Sequence, residues 1–125
     1  MTQPRALIID DDGPIRTMLS MIVRHQGISV DTASDGFEAI ASLDRDGYDV
    51  VLLDLMMPRV DGYAVLAHIR EHQPALLNCT ILATAIPETD IRKNLKDPIF
   101  VVHTKPFDVQ KLITDVRHCA NVDAN

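Results

Sequence analysis

The stretch Val50-Val51-Leu52-Leu53-Asp54-Leu55-Met56-Met57-Pro58 decides how this chain folds. Four apolar residues of strand type run up to a lone carboxylate, and a proline follows four positions later. A parallel strand buried on both faces reads as a continuous apolar run of this kind. A carboxylate at the end of such a run stands at the carboxyl edge of a sheet, where open α/β sheets bind ligands. Two other segments bring partners to it: Asp10-Asp11-Asp12 after Leu7-Ile8-Ile9, and Lys105-Pro106 after Val101-Val102.

Outward from that strand, short apolar runs alternate with helix-period segments. Residues 5–10 read as a first strand. Residues 14–26 read as a helix, with Pro14 in its first turn. Ile15, Met18, Leu19, Ile22 and Val23 follow the helical spacing, and Gly27 stops it. Residues 28–33 are a second strand. Residues 35–44 form a short helix with Phe37, Ile40 and Ala41 inward, and residues 49–54 are the central strand. A helix over residues 63–72 buries Val65, Leu66 and Ile69. Residues 80–83 are a fourth strand, and residues 88–96 a polar helix ended by Asp97-Pro98. Residues 99–104 are a fifth strand. Residues 108–120 form a last helix with Val109, Leu112, Ile113 and Val116 on one face, and the tail 121–125 is expected to fray.

Five strands alternating with five helices specify a doubly wound parallel sheet of flavodoxin-like type. Right-handed crossovers cover both faces only if the strand order reverses once. The order 2-1-3-4-5 does so and sets strands 1 and 3 side by side at the switch point. Neighbouring strands lie about 4.8 Å apart, so Asp10, Asp11 and Asp54 share one crevice. Thr84 reaches it from the fourth strand and Lys105 from the fifth.

The bulk properties agree with one domain. The chain has 125 residues and is 46% hydrophobic, enough for one core around residues 5–120. Aromatic residues are only 4%, so that core is aliphatic. A net charge of −6 argues against non-specific binding to nucleic acid or to a membrane surface. Cys79 and Cys119 lie far apart with no CxxC, which suggests inert thiols in a reducing cytoplasm. No signal peptide and no bilayer-length apolar run is visible.

Three clustered carboxylates need protons or a cation. Two charges about 5 Å apart repel by about 3 kcal/mol at an effective dielectric near 20. Oxygen-only ligands with room for water favour Mg²⁺. With Lys105 beside it, such a site suits a dianionic phosphoryl group. A carboxylate there can attack phosphorus and become an acyl phosphate, and Thr84 can hydrogen-bond a phosphoryl oxygen.

These residues carry a resemblance. The acid pair Asp10-Asp11, then Leu53-Asp54-Leu55-Met56-Met57-Pro58 with Asp61-Gly62, then Ala83-Thr84-Ala85 and Lys105-Pro106-Phe107, together resemble a response-regulator receiver domain. Arg16 fixes the register, so that the pair falls on Asp10 and Asp11 while Asp12 takes the variable third place. The resemblance implies Asp54 as phosphoacceptor and Asp11 as a direct Mg²⁺ ligand. It implies Asp10 acting mostly through metal-bound water, and the main-chain carbonyl of Met56 as a further ligand. Lys105 and Thr84 would contact the phosphoryl group, and Pro106 is similar to the family's cis-proline. The implied phosphodonor is a sensor histidine kinase or a histidine phosphotransfer protein. The implied readers are a downstream protein or a fused output domain. A homodimer through the fourth helix, fifth strand and fifth helix is a further implied partner. Such a module signals rather than catalyses metabolism, and does not itself bind nucleic acid.

The chain departs from the pattern at Val102, where the family usually has Tyr or Phe; Phe100 on the same strand face is a candidate substitute. Two competing readings stand beside the first. Ile9-Asp10-Asp11-Asp12-Gly13 also resembles the haloacid-dehalogenase phosphatase signature, with Asp10 as nucleophile. Val102 allows a receiver-like binding module that works without phosphorylation. Asp12 is expected to help cap the first helix. His103 reads as a satisfied structural histidine. His25, His68, His72 and His118 read as solvated, without metal spacing to a carboxylate. Arg92, Lys93 and Lys96 read as a solvated basic face.

Overall fold

The computed structural model describes residues 3–57, 60–95, 99 and 101–122. Its elements are β1 (Arg5–Ile9), α1 (Gly13–Arg24), β2 (Ser29–Ala33), α2 (Gly36–Arg45), β3 (Val50–Leu53) and α3 (Gly62–His72). A short 3-10 helix (Pro74–Cys79) follows, then β4 (Thr80–Thr84), α4 (Glu88–Asn94), β5 (Val101–Thr104) and α5 (Val109–Cys119). All strand pairs are parallel, in the expected order β2-β1-β3-β4-β5.

Aspartates start four of the helices. The side chains of Asp12, Asp35, Asp61 and Asp108 accept from the main-chain N–H groups of Ile15, Glu38, Ala64 and Lys111. Each satisfies a donor that the first helical turn cannot pair internally. Pro14 sits in the first turn of α1, and Gly27, at φ 82°, follows its end as the sequence predicts.

The sheet splits the core in two, because successive strand residues face opposite sides. Leu7, Ile9, Val51, Leu53, Leu82 and Val102 face α2, α3 and α4. Ala6, Ile8, Val50, Leu52 and Ile81 face α1 and α5, where Leu19, Val23, Leu112 and Val116 meet them.

Several expectations need correction. In α2 the buried face is Ala39, Ser42 and Leu43, while Phe37 is 57% exposed and Ala41 also points to solvent. Met18 and Val109 lie at the rims of their helices and are exposed. Ile99 is not in a strand, whereas Val101–Thr104 form β5, and the 3-10 helix before β4 was not anticipated. The first two residues of the tail, Asn121 and Val122, do not fray. Asn121 takes a left-handed φ of 56°, Val122 N–H returns to the Arg117 carbonyl at 2.9 Å, and Val122 packs on the α1/α5 core. That is a Schellman-type closure with asparagine at the left-handed position. The expected stop at Asp97-Pro98, Lys96 of the basic face, Phe100 and residues 123–125 lie outside the described residues. No helix among the described residues is long and apolar enough to cross a membrane.

Candidate functional site

The site is built by strand register. Ile9 of β1 pairs with Leu53 of β3, so the next residues, Asp10 and Asp54, leave the sheet side by side. The ladder holds both backbones in place. Asp54 N–H donates to the Ile9 carbonyl at 3.0 Å, and Asp10 N–H to the Ala33 carbonyl at 3.2 Å. Thr84 ends β4, and its carbonyl accepts from the Lys105 N–H at 2.8 Å, which sets Lys105 just beyond β5.

The side chains converge as the sequence predicts. Asp10, Asp11 and Asp54 each present a carboxylate oxygen within 4.8 Å of the others. Asp10 and Asp54 are only 1% and 5% exposed, whereas Asp11 is exposed. Lys105 Nζ lies 3.1 Å from an oxygen of Asp10 and 3.1 Å from an oxygen of Asp54, bridging the two buried acids. The second oxygen of Asp10 accepts from the Asp12 N–H at 2.9 Å, and that of Asp54 from the Met56 N–H at 3.1 Å. Thr84 is fully buried, and its hydroxyl oxygen accepts from the Ile86 N–H at 3.3 Å. The Lys105–Pro106 peptide is cis, as the motif implies.

Burial pushes the Asp10 carboxyl above its usual range, and the Asp54 charge adds to this. The Asp12 N–H and Lys105 pull it back without cancelling the effect. Burial would lower the Lys105 ammonium, but its hydrogen bonds and charge contacts with Asp10 and Asp54 hold it above its usual value. The cluster therefore contains one firmly charged cation and more acid than that cation can pair. The donor set is all oxygen, at spacings a hard cation with short metal–oxygen bonds could draw together. Asp10, Asp11 and Asp54 fit Mg²⁺ on these grounds.

Some supporting residues were not legible as such. Arg16 serves in the sequence only as a register mark, yet its Nη1 donates to the Asp10 carbonyl at 2.8 Å. Gly62 packs so closely that a Cβ there would lie 2.6 Å from the Asp54 carbonyl oxygen and 2.5 Å from Leu55 Cα. The Asp61-Gly62 motif carried that signal. The exposed Met56 side chain joins Asp11, Asp61 and Tyr63 around an adjoining cleft of about 420 Å³. His103 is the structural histidine expected, buried with Nε2 2.7 Å from Asp115 Oδ2. His68 is not simply solvated: its Nε2 lies 2.7 Å from Asp44 Oδ1, and its ring is 4.4 Å from that of His72. Arg92 pairs with Glu88 one turn earlier.

Fold and site together define an open doubly wound α/β domain with acids and a lysine at its switch point. The family model for the response regulator receiver domain matches residues 6–117, and the chain belongs to that family. It is 33% identical to the transcriptional regulatory protein TrcR of Mycobacterium tuberculosis over 116 residues, 90% of this chain and 44% of TrcR. It is also 33% identical to the DNA-binding dual master transcriptional regulator RpaA of Synechocystis over 115 residues, 91% of this chain and 48% of that protein. The chain thus spans about half the length of these curated relatives. Among solved structures, the Francisella response regulator 1452 receiver domain is 30% identical, with TM-score 0.83 over 95% of this chain and 98% of that one. Response regulator TrrA of Thermotoga maritima, solved in complex with Mg(2+)-BeF, is also 30% identical, with TM-score 0.83 over 94% and 99% of the two chains. The family match decides between the two phosphate-chemistry resemblances in favour of the receiver. This chain is a receiver domain of two-component signalling.

Proposed function

We propose that Asp54 accepts a phosphoryl group from a phosphohistidine on a sensor histidine kinase or histidine phosphotransfer protein. The carrying observation is the bridge of Lys105 Nζ to Asp10 and Asp54 at 3.1 Å each, with Asp11 at the rim. One Asp54 carboxylate oxygen attacks phosphorus, the bond to the donor imidazole breaks, and an acyl phosphate remains. Lys105 turns from the carboxylates to the phosphoryl oxygens and offsets their charge. The Thr84 hydroxyl, whose oxygen accepts from the Ile86 N–H, donates a hydrogen bond to a phosphoryl oxygen. Asp10, Asp11, Asp54 and the Met56 main-chain carbonyl would hold Mg²⁺, which when bound supplies positive charge against the transferring oxygens. The complex of TrrA with Mg(2+)-BeF supports this reading.

Phosphorylation then shifts an equilibrium read by a downstream protein or a fused output domain, and a homodimer through α4, β5 and α5 is one form that reading takes. Acetyl phosphate with Mg²⁺ is expected to label the wild type and to leave Asp54→Asn unlabelled. Label retained in that variant and mapped to Asp10 would overturn the assignment. Val102 favours a second reading, in which binding is independent of phosphorylation. It is buried on the α4 side of the sheet with no aromatic ring to swing. An unchanged spectrum on adding Mg²⁺ and beryllofluoride would select that second reading.

A further inference from the structure

The chain has two cysteines, forty positions apart, and the fold brings them together. Cys79 closes the 3-10 helix before β4, and Cys119 is the last residue of α5. The Cys79 thiol donates to the Cys119 carbonyl oxygen at 3.8 Å. Both are free and partly buried. Their surroundings differ. Cys79 opens onto a surface cleft of about 420 Å³, with Tyr48, Gln73 and Leu76 on its walls. Cys119 packs against the core between the sheet and α1/α5.

We propose that Cys79 and Cys119 are an oxidisable pair that forms an intramolecular disulfide with peroxide as oxidant. The open cleft makes Cys79 the attacking thiol. Burial, with the adjacent Cys79 sulfur and the Asp115 charge, pushes the Cys119 thiol up, which fits it to resolve rather than attack. The Cys79 thiolate attacks one peroxide oxygen and the O–O bond breaks. Hydroxide leaves and takes up the proton shed by Cys79, giving water and a sulfenic acid. The Cys119 sulfur then attacks the Cys79 sulfur. Its thiol proton joins the departing hydroxide as a second water. The two sulfurs lose two electrons, and the peroxide gains them.

The bond would close a loop containing β4, α4, β5 and α5, the segment that carries Thr84 and Lys105. It would do so at the end of β4 opposite Thr84, about 13 Å along the strand from it. The expected effect is on stability. Closing a loop of this length raises Tm by on the order of 10–15 °C, reversed by dithiothreitol.

The test is peroxide treatment of the intact chain followed by non-reducing peptide mapping. The expected product is a cross-linked peptide holding Cys79 and Cys119, lighter by two hydrogen atoms than the two thiol peptides, with no free thiol left. Cys79→Ser and Cys119→Ser should each abolish the cross-link and the Tm rise. Three results would each overturn the proposal: thiols that stay titratable, disulfides only between copies, or sulfinic and sulfonic acids with no cross-link. The map on wild-type protein does not depend on how well either variant folds.

Discussion

Lys105 offers one ammonium to two buried carboxylates, with Asp11 adding a third at the rim. Such a cluster suits phosphoryl chemistry at some cost to the fold. The sign follows from the raised Asp10 carboxyl. An acid whose folded pKa lies above its unfolded value stabilises the fold fully only below the unfolded value, about 3.9. That contribution is lost as pH rises through the folded pKa. At neutral pH the ionised Asp10 therefore weighs against folding. Asp10→Asn keeps the shape and removes the charge, and is expected to raise stability at pH 7 by about 1 kcal/mol, a few degrees in Tm. Lys105→Met does the reverse. It leaves Asp10 and Asp54 facing each other, and is expected to cost about 2 kcal/mol. Urea denaturation of both variants at pH 7 checks the pair of signs, and shifts in the same direction would refute the charge argument. Millimolar Mg²⁺ should raise the wild-type Tm, because a ligand of the folded state stabilises by mass action. The rise should shrink in Asp10→Asn, as differential scanning fluorimetry would show.

At the scale of elements, the site depends on how α3 meets the loop after β3. Gly62 begins α3 against the Asp54 carbonyl and Leu55 Cα. A methyl group there meets backbone rather than a flexible side chain, so the loop must move. Gly62→Ala is expected to cost about 2–3 kcal/mol and to slow acetyl-phosphate labelling as well, because the displaced loop carries Asp54. Wild-type stability in this variant would show that the helix start can retreat from the loop. Much of this scale was legible in the sequence. Unbroken apolar runs marked the buried strands, and carboxylates after two of them marked the site, because strand register turns sequence position directly into spatial position. Harder were the features with no local period. Helix α2 carries apolar residues on two overlapping faces. Only packing against β1, β2 and α3 selects Ala39 and Leu43 over Phe37 and Ala41. The 3-10 helix Pro74–Cys79 is too short to show a repeat, though Leu76 and Leu77 are buried in it. The meetings of Cys79 with Cys119 and of His68 with Asp44 arise from tertiary packing and have no signature along the chain.

Two charged clusters stand at opposite ends of one sheet, and the one away from Asp10, Asp11 and Asp54 works for stability. There Arg5 at the start of β1 reaches Asp31 of β2 at 2.7 Å and Asp46 beyond α2 at 3.4 Å. The Tyr48 hydroxyl donates to the same Asp31 oxygen at 2.7 Å, and the Arg5 guanidinium lies 5.3 Å from the centre of the Tyr48 ring. The cluster joins β1, β2 and the approach to β3, segments brought together only by the complete fold. Burial and the hydrogen bond to Asp31 push the Tyr48 phenol up to about 12. The unfolded value is about 10. A group whose folded pKa is raised contributes stability that is complete below the unfolded value and lost as pH climbs through the folded one. The Tyr48–Asp31 bond should therefore hold up to about pH 10 and fail toward about pH 12. Tyr48→Phe lacks the hydroxyl at every pH, so it should cost about 1 kcal/mol at pH 7. It should also lose stability less steeply than the wild type over that alkaline interval. Urea midpoints measured at steps between neutral pH and about pH 11 compare the two slopes. Parallel curves would mean that Tyr48 serves the sheet through its ring alone; convergence would locate the proton whose loss begins to open this end of the molecule.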